Sequence, residues 1–162
     1  MYKLDIISNN SDETIKIASV FASFLSKGDI VTLTGELGSG KTKFVEGFLQ
    51  YFDLQDEVSS PTFNIVNEHI SSKNCIFHFD VYRLEDSDEF YAIGGEEYFE
   101  KGICLIEWGE IIKNILPRDY IHIFINKNVS DENKRIFEFC VNDDSKYLDI
   151  LKKFKEEINW RY

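Results

Sequence analysis

The chain has 162 residues, 43% of them apolar and 15% aromatic, and a formal net charge of −11. That length and apolar content suit one domain spanning 1–162 with a buried core, and exclude a disordered chain. Nucleic-acid affinity draws on Lys and Arg neutralising phosphates, so an acidic chain with arginine only at Arg83, Arg118, Arg135 and Arg161 is not expected to hold RNA or DNA tightly by itself.

From Ser11 to Leu25, the apolar residues Ile15, Ala18, Val20, Phe21, Phe24 and Leu25 largely follow helical spacing, and the polar run SNNSDE before them supplies a cap. Gly28 follows as a stop. DIVTLTG then reads as a short buried strand over 29–34. Beyond a glycine-rich loop, Phe44, Val45, Phe48, Leu49 and Phe52 again recur at helical spacing. This order, strand then loop then helix, opens an α/β unit.

TFNIVNEH at 62–69 and CIFHFDVY at 75–82 read as strands joined by the turn SSKN, hence as an antiparallel pair. Residues 85–101 are acidic and helical in pattern, interrupted at Gly94 and Gly95. ICLIEW at 103–108, bounded by Gly102 and Gly109, suits a central buried strand. YIHIFI at 120–125 and RIFEFCV at 135–141 form a second antiparallel pair. From Tyr147, a helix places Leu148, Leu151, Phe154 and Ile158 on one packed face, with Lys152, Lys153, Lys155 and Arg161 on solvated positions. The expected fold is α/β, a P-loop NTPase fold whose mixed parallel and antiparallel sheet is flanked by helices. With 14 phenylalanines, much of its core must be phenylalanine.

The N-terminus lacks a basic stretch followed by an apolar one, and no apolar run is long enough to span a bilayer. Cys75, Cys104 and Cys140 form no CxxC pair and lie in apolar runs, as small buried residues of a reducing compartment do. His69, His78 and His122 lack metal-ligand spacing. A cytoplasmic protein without membrane association is the expectation.

Residues 35–42, GELGSGKT, satisfy G-x-x-x-x-G-K-[ST], a pattern that chance produces in roughly one chain in a few hundred of this length. Gly35, Gly38 and Gly40 let the backbone turn and aim several N–H groups at one anion, and Glu36, Leu37 and Ser39 lend their backbone to the same cradle. The helix starting near Lys41 adds the positive end of its dipole. Lys41 supplies a full charge to the β- and γ-phosphates, Thr42 a hydroxyl to Mg²⁺, and Lys43 follows in the first helical turn. A P-loop also needs a carboxylate at a strand end, and both Asp80 after CIFHF and Glu107 after ICLI qualify. GTP is disfavoured over ATP: Asn126 and Lys127 mimic a guanine motif, but Val129 stands where its aspartate belongs, and Asp80 lacks the following DxxG glycine.

Taken together, GELGSGKT at 35–42, SPTFNIVNE at 60–68, HFDVYRL at 78–84 and LIEW at 105–108 resemble, in order and along nearly the whole chain, the TsaE (YjeE) family of small bacterial P-loop ATPases. That family commonly has Asp where this chain has Glu36, Ala in place of Ser39 and Thr in place of Lys43. The resemblance implies weak, Mg²⁺-dependent ATP hydrolysis that supports turnover of the TsaD and TsaB proteins, which form threonylcarbamoyladenosine in tRNA. Contact with tRNA would then be indirect, through the complex. By position, Thr42 and Glu107 would ligate Mg²⁺, Asp80 would serve the catalytic or switch site, and Lys41 the phosphates. Ser60, Pro61 and Thr62 would lie near the γ-phosphate, and Trp108 beside the nucleotide. Arg135 is a further candidate contact. Two other classes share the P-loop. A small-molecule kinase would need more arginines for its lid and acceptor pocket. A nucleotide-dependent interaction module would bind without turnover.

Overall fold

Alternation along YKLDIIS buries Leu4 and Ile6 while Lys3, Asp5 and Ile7 face outward, and this makes a first strand, β1 (Tyr2–Ser8). It pairs antiparallel with β7 (Arg135–Val141) and was not among the strands expected from sequence. Its alternation is short, and pairing across more than a hundred residues, with Leu4 and Ile6 packed in the core, stabilises it. The computed structural model describes residues 1–57 and 64–161.

The remaining strands are β2 (Ile30–Thr34), β3 (Val66–Ile70), β4 (Cys75–Asp80), β5 (Ile103–Glu107) and β6 (Ile121–Lys127). With β1 and β7 they form, among the described residues, one seven-stranded sheet in the order β1-β7-β6-β2-β5-β4-β3. β2 pairs parallel with β5 and β6, and β4 parallel with β5. The pairs β3–β4 and β6–β7 are antiparallel, as their short connections dictate. The expected mixed sheet is present, with ICLIE beside the strand that feeds the glycine loop. Every residue of β5 is buried, which is why it reads as a continuous apolar run rather than an alternating one.

One face carries α1 (Ser11–Ala22), α2 (Lys41–Tyr51) and α4 (Leu148–Arg161). Asn10 caps α1 by accepting from the Glu13 amide, while the Glu13 carboxylate reaches back to the Asn9 amide at 2.7 Å. The helix stops at Ala22, short of the expected Leu25, because Phe24 and Leu25 continue as tight turns bonded to Phe21 and Ala22. Phe21, fully buried, joins the layers: its ring centroid lies 5.1 Å from Phe139 of β7, 5.2 Å from Phe154 of α4 and 6.1 Å from Phe44 of α2. On the other face, α3 (Ser87–Ala92) and short 3₁₀ turns at Gly95–Glu100 and Gly109–Ile112 cover Ile30, Phe79, Cys104 and Ile106. The helical pattern expected over 85–101 breaks at Gly94, whose φ is +71°.

Helices α1 and α2 touch backbone to backbone. A Cβ on Gly47 would sit 2.2 Å from the carbonyl oxygen of Ile15. Alanine in place of a mid-helix glycine ordinarily gains up to about 1 kcal/mol. Here the overlap with main chain outweighs that gain, and Gly47→Ala should cost a net of about 1–2 kcal/mol. Urea denaturation of the two proteins checks it; a variant as stable as the parent would show that the helices separate freely.

Candidate nucleotide-binding site

The C-terminal ends of parallel strands are where α/β folds leave a crevice, and three of them meet here. β2 ends at Thr34 and runs directly into the loop of 35–40, which ends where α2 starts at Lys41. The loop is tight at both ends. A Cβ on Gly35 would lie 2.4 Å from Ser39 Oγ and 2.6 Å from the Ile125 carbonyl oxygen, and Gly40 holds a φ of +111° at the start of α2.

Period two along the neighbouring strands places the carboxylates. Ile76 of β4 and Ile103 and Leu105 of β5 pack into the core under α1 and α2, so His78, Asp80 and Glu107 point to that same face. Asp80 pairs in register with Glu107, and Glu107 with Leu33 of β2. Both acids therefore end side by side, next to the loop. Asp80 is half-buried, and its Oδ1 accepts from the Tyr82 amide at 3.1 Å. Glu107 is 6% exposed, and its Oε2 lies 2.8 Å from His78 Nε2.

Lys41 Nζ donates to the carbonyl oxygens of Gly35 and Glu36, and stands 4.9 Å from the centre of the Trp108 ring. Burial pushes its ammonium below the usual lysine range, against the opposing pull of Glu107, Asp80 and Glu110. Trp108 adopts φ +62°, uncommon for a bulky side chain and a strain of about 1–3 kcal/mol that recurs at functional sites. Its amide donates to the Leu33 carbonyl at 3.0 Å, and its ring meets Tyr82 at 5.0 Å.

These groups line a cleft of about 640 Å³. The wall includes Leu37, Gly38, Gly40, Lys41, Thr42, Lys43, Asp80, Glu107, Trp108 and Arg135 from the sequence reading. Gly35, Glu36 and Ser39 lie on the loop but not on the wall. Thr62, with Ser60 and Pro61, falls outside the described residues. Asn10, Ser11 and Thr14 at the start of α1, and Glu132 and Asn133 before β7, also line the cleft. Their sequence signal was limited to cap and turn residues: the packing of α1 beside α2 brings the first three to the cleft, and the β6–β7 connection the other two. Thr42, Asp80 and Glu107 all line this cleft and offer hard oxygen donors, a set that fits Mg²⁺.

A model of the family described as "Threonylcarbamoyl adenosine biosynthesis protein TsaE" matches residues 8–136. The tRNA threonylcarbamoyladenosine biosynthesis protein TsaE of Rickettsia felis is 40% identical over 148 residues, covering 90% of this chain and 85% of that protein. Its counterpart in Bacillus subtilis is 40% identical over 129 residues, covering 79% of this chain and 80% of that protein. The crystal structure of Bacillus subtilis YdiB matches with a TM-score of 0.78 and 29% identity, over 96% of each chain.

The chain belongs to the TsaE family.

Membership places it among the proteins of threonylcarbamoyladenosine biosynthesis. In this TsaE-family chain Lys127 and Arg135, of β6 and β7, brace the loop. Lys127 Nζ donates to the Leu37 carbonyl at 3.2 Å, and Arg135 donates to the carbonyl oxygens of Ser39 at 2.8 Å and Gly38 at 3.4 Å. Lys127 stands in the sequence as half of a failed guanine motif; the fold gives it this bracing contact instead. Among the described residues no helix is long and apolar enough to cross a membrane.

Proposed function

We propose that this TsaE-family chain binds Mg-ATP at the 35–42 loop and hydrolyses it slowly, in the cytoplasm, to support turnover of a TsaD- and TsaB-like assembly that forms threonylcarbamoyladenosine in tRNA. The observation that carries the reading is the convergence of Lys41, Thr42, Asp80 and Glu107 on one cleft at the strand ends. Lys41 then exchanges its carbonyl contacts for phosphate oxygens, a stronger charge-assisted pairing. Thr42 and Glu107 are the residues that would hold Mg²⁺, whose bound charge offsets that of the β- and γ-phosphates. Asp80, beside Glu107 and more accessible, is the group that would respond to the γ-phosphate. Trp108 borders the nucleotide, and Arg135, on the cleft wall, stiffens the loop through the carbonyls of Ser39 and Gly38.

An acidic surface suits a protein partner better than direct capture of tRNA. Among the described residues, Arg135 is the only arginine on the cleft wall. It already donates to the carbonyl oxygens of Ser39 and Gly38, so the wall carries no second arginine to stabilise charge developing on the transferred phosphoryl group. Hydrolysis by the isolated chain should accordingly be slow and should rise when TsaB- and TsaD-like proteins are added. Phosphate release measured for the chain alone and in a verified complex checks this. Equal rates would sink the partner-dependent part of the reading.

A further inference from the structure

We infer that His78 is a positioning residue for Glu107, holding that carboxylate in the orientation in which it serves Mg²⁺. The inference rests on the metal role of Glu107 proposed above. His78 sits in the middle of β4, between Phe77 and Phe79 and on the same face as Ile76, with a side chain only 4% exposed. An imidazole in such a run loses its water and is tolerated where it gains a hydrogen bond. Among the described residues that bond goes to Glu107 alone: Nε2 lies 2.8 Å from Oε2, while Nδ1 is buried without a partner.

The direction of the bond follows from what each group can do. An ionised carboxylate only accepts, so Nε2 carries the hydrogen and donates it. A hydrogen on Nδ1 would be buried with no acceptor, so the neutral tautomer protonated at Nε2 is the one that fits.

Strand register makes the contact unavoidable. β4 and β5 run parallel with His78 opposite Leu105 and Asp80 opposite Glu107, so His78 and Glu107 are diagonal neighbours on one face. A glutamate has three side-chain torsions to order, and at the mouth of a cleft it can swing toward water. With Oε2 tied to a buried side chain of an interior strand, the carboxylate loses that freedom before any ligand arrives. Hydrogen bonds of this kind to metal-ligating side chains typically change metal affinity or activity by about 10–100-fold when removed.

The test is ADP affinity, by calorimetry, as MgCl₂ is titrated from an EDTA baseline, for the parent chain, His78→Ala and His78→Gln. In His78→Ala the Mg²⁺ concentration for half-maximal tightening should rise about 10–100-fold, while ADP affinity in EDTA stays within about twofold. The amide nitrogen of His78→Gln reaches about where imidazole Nε2 stands, and should restore most of the Mg²⁺ response. An unchanged Mg²⁺ requirement in His78→Ala, with the parent responding to Mg²⁺, overturns the positioning role and leaves the proposed site intact. A parent whose ADP affinity ignores Mg²⁺ overturns both. Equal weakening in EDTA and in Mg²⁺ would show general damage to the site and also overturn the positioning role. If His78→Ala does not fold, nitrogen-15 imidazole spectra of the parent decide. A hydrogen on Nε2, with resonances that shift when Mg²⁺ is added to the ADP complex, supports the role; a hydrogen on Nδ1 overturns it.

Discussion

Replacing Lys41 with alanine is expected to remove most of the thermal stabilisation that Mg-ATP confers. A ligand that binds only the folded state at about a hundred times its Kd stabilises by about 2.7 kcal/mol. For a chain of this size that is a rise in Tm of about 5–10 °C. Lys41 is the full positive charge at the first position of α2, and it already lies over the loop through the carbonyls of Gly35 and Glu36. Without it, the backbone cradle and the helix dipole remain, but the strongest attraction for the β- and γ-phosphates is gone. The side chain is part-exposed and its contacts are the two loop carbonyls and the Trp108 ring rather than the packed core, so the variant without nucleotide should melt close to the parent. Differential scanning fluorimetry with and without Mg-ATP reads both quantities. An undiminished shift in Lys41→Ala would place the nucleotide elsewhere.

The two acids should separate by what they lose. Glu107→Gln keeps an acceptor for His78 and removes the charge; it should weaken the Mg²⁺ dependence of nucleotide affinity and alter the nucleotide response of Trp108 fluorescence. Glu107→Ala should do the same, with an added loss of about 1–3 kcal/mol in stability because the buried His78 Nε2 is left without its partner. Asp80→Ala should keep ADP affinity but lose hydrolysis in the complex by about 10²–10³-fold, the scale on which positioned catalytic groups contribute. The basis is burial and bonding. Glu107 is enclosed and held by His78 of the neighbouring strand, whereas Asp80 is half-buried and turns its Oδ1 to the Tyr82 amide. Nucleotide affinity titrated against Mg²⁺ for all three variants distinguishes them. A metal dependence lost in Asp80→Ala and kept in Glu107→Gln would reverse the two roles.

The sequence determined a great deal where chemistry and spacing are local. GELGSGKT between an apolar run and an amphipathic helix specifies strand, loop and helix without reference to the rest of the chain, and α2 begins at Lys41 as that pattern requires. Asp80 and Glu107 were visible because each follows an apolar run long enough to be a strand. The antiparallel pairs β3–β4 and β6–β7 were visible because their connections are short. The phenylalanine content likewise foretold a core built from Phe21, Phe44, Phe48, Phe139 and Phe154.

Only tertiary structure decided what depends on distant partners. β1 is a strand because β7 pairs with it, and seven residues of weak alternation carry no such information alone. The start of α1 reaches the cleft because Gly47 lets α1 lie against α2, and nothing in SNNSDE encodes that approach. Lys127 and Arg135 brace the glycine loop through backbone carbonyls, which present the same acceptor whatever residue carries them and so leave no mark in the sequence. The bond from His78 to Glu107 crosses 29 residues and exists because two parallel strands take one register. A one-residue slip of either strand would turn its side chain to the opposite face of the sheet from the other's.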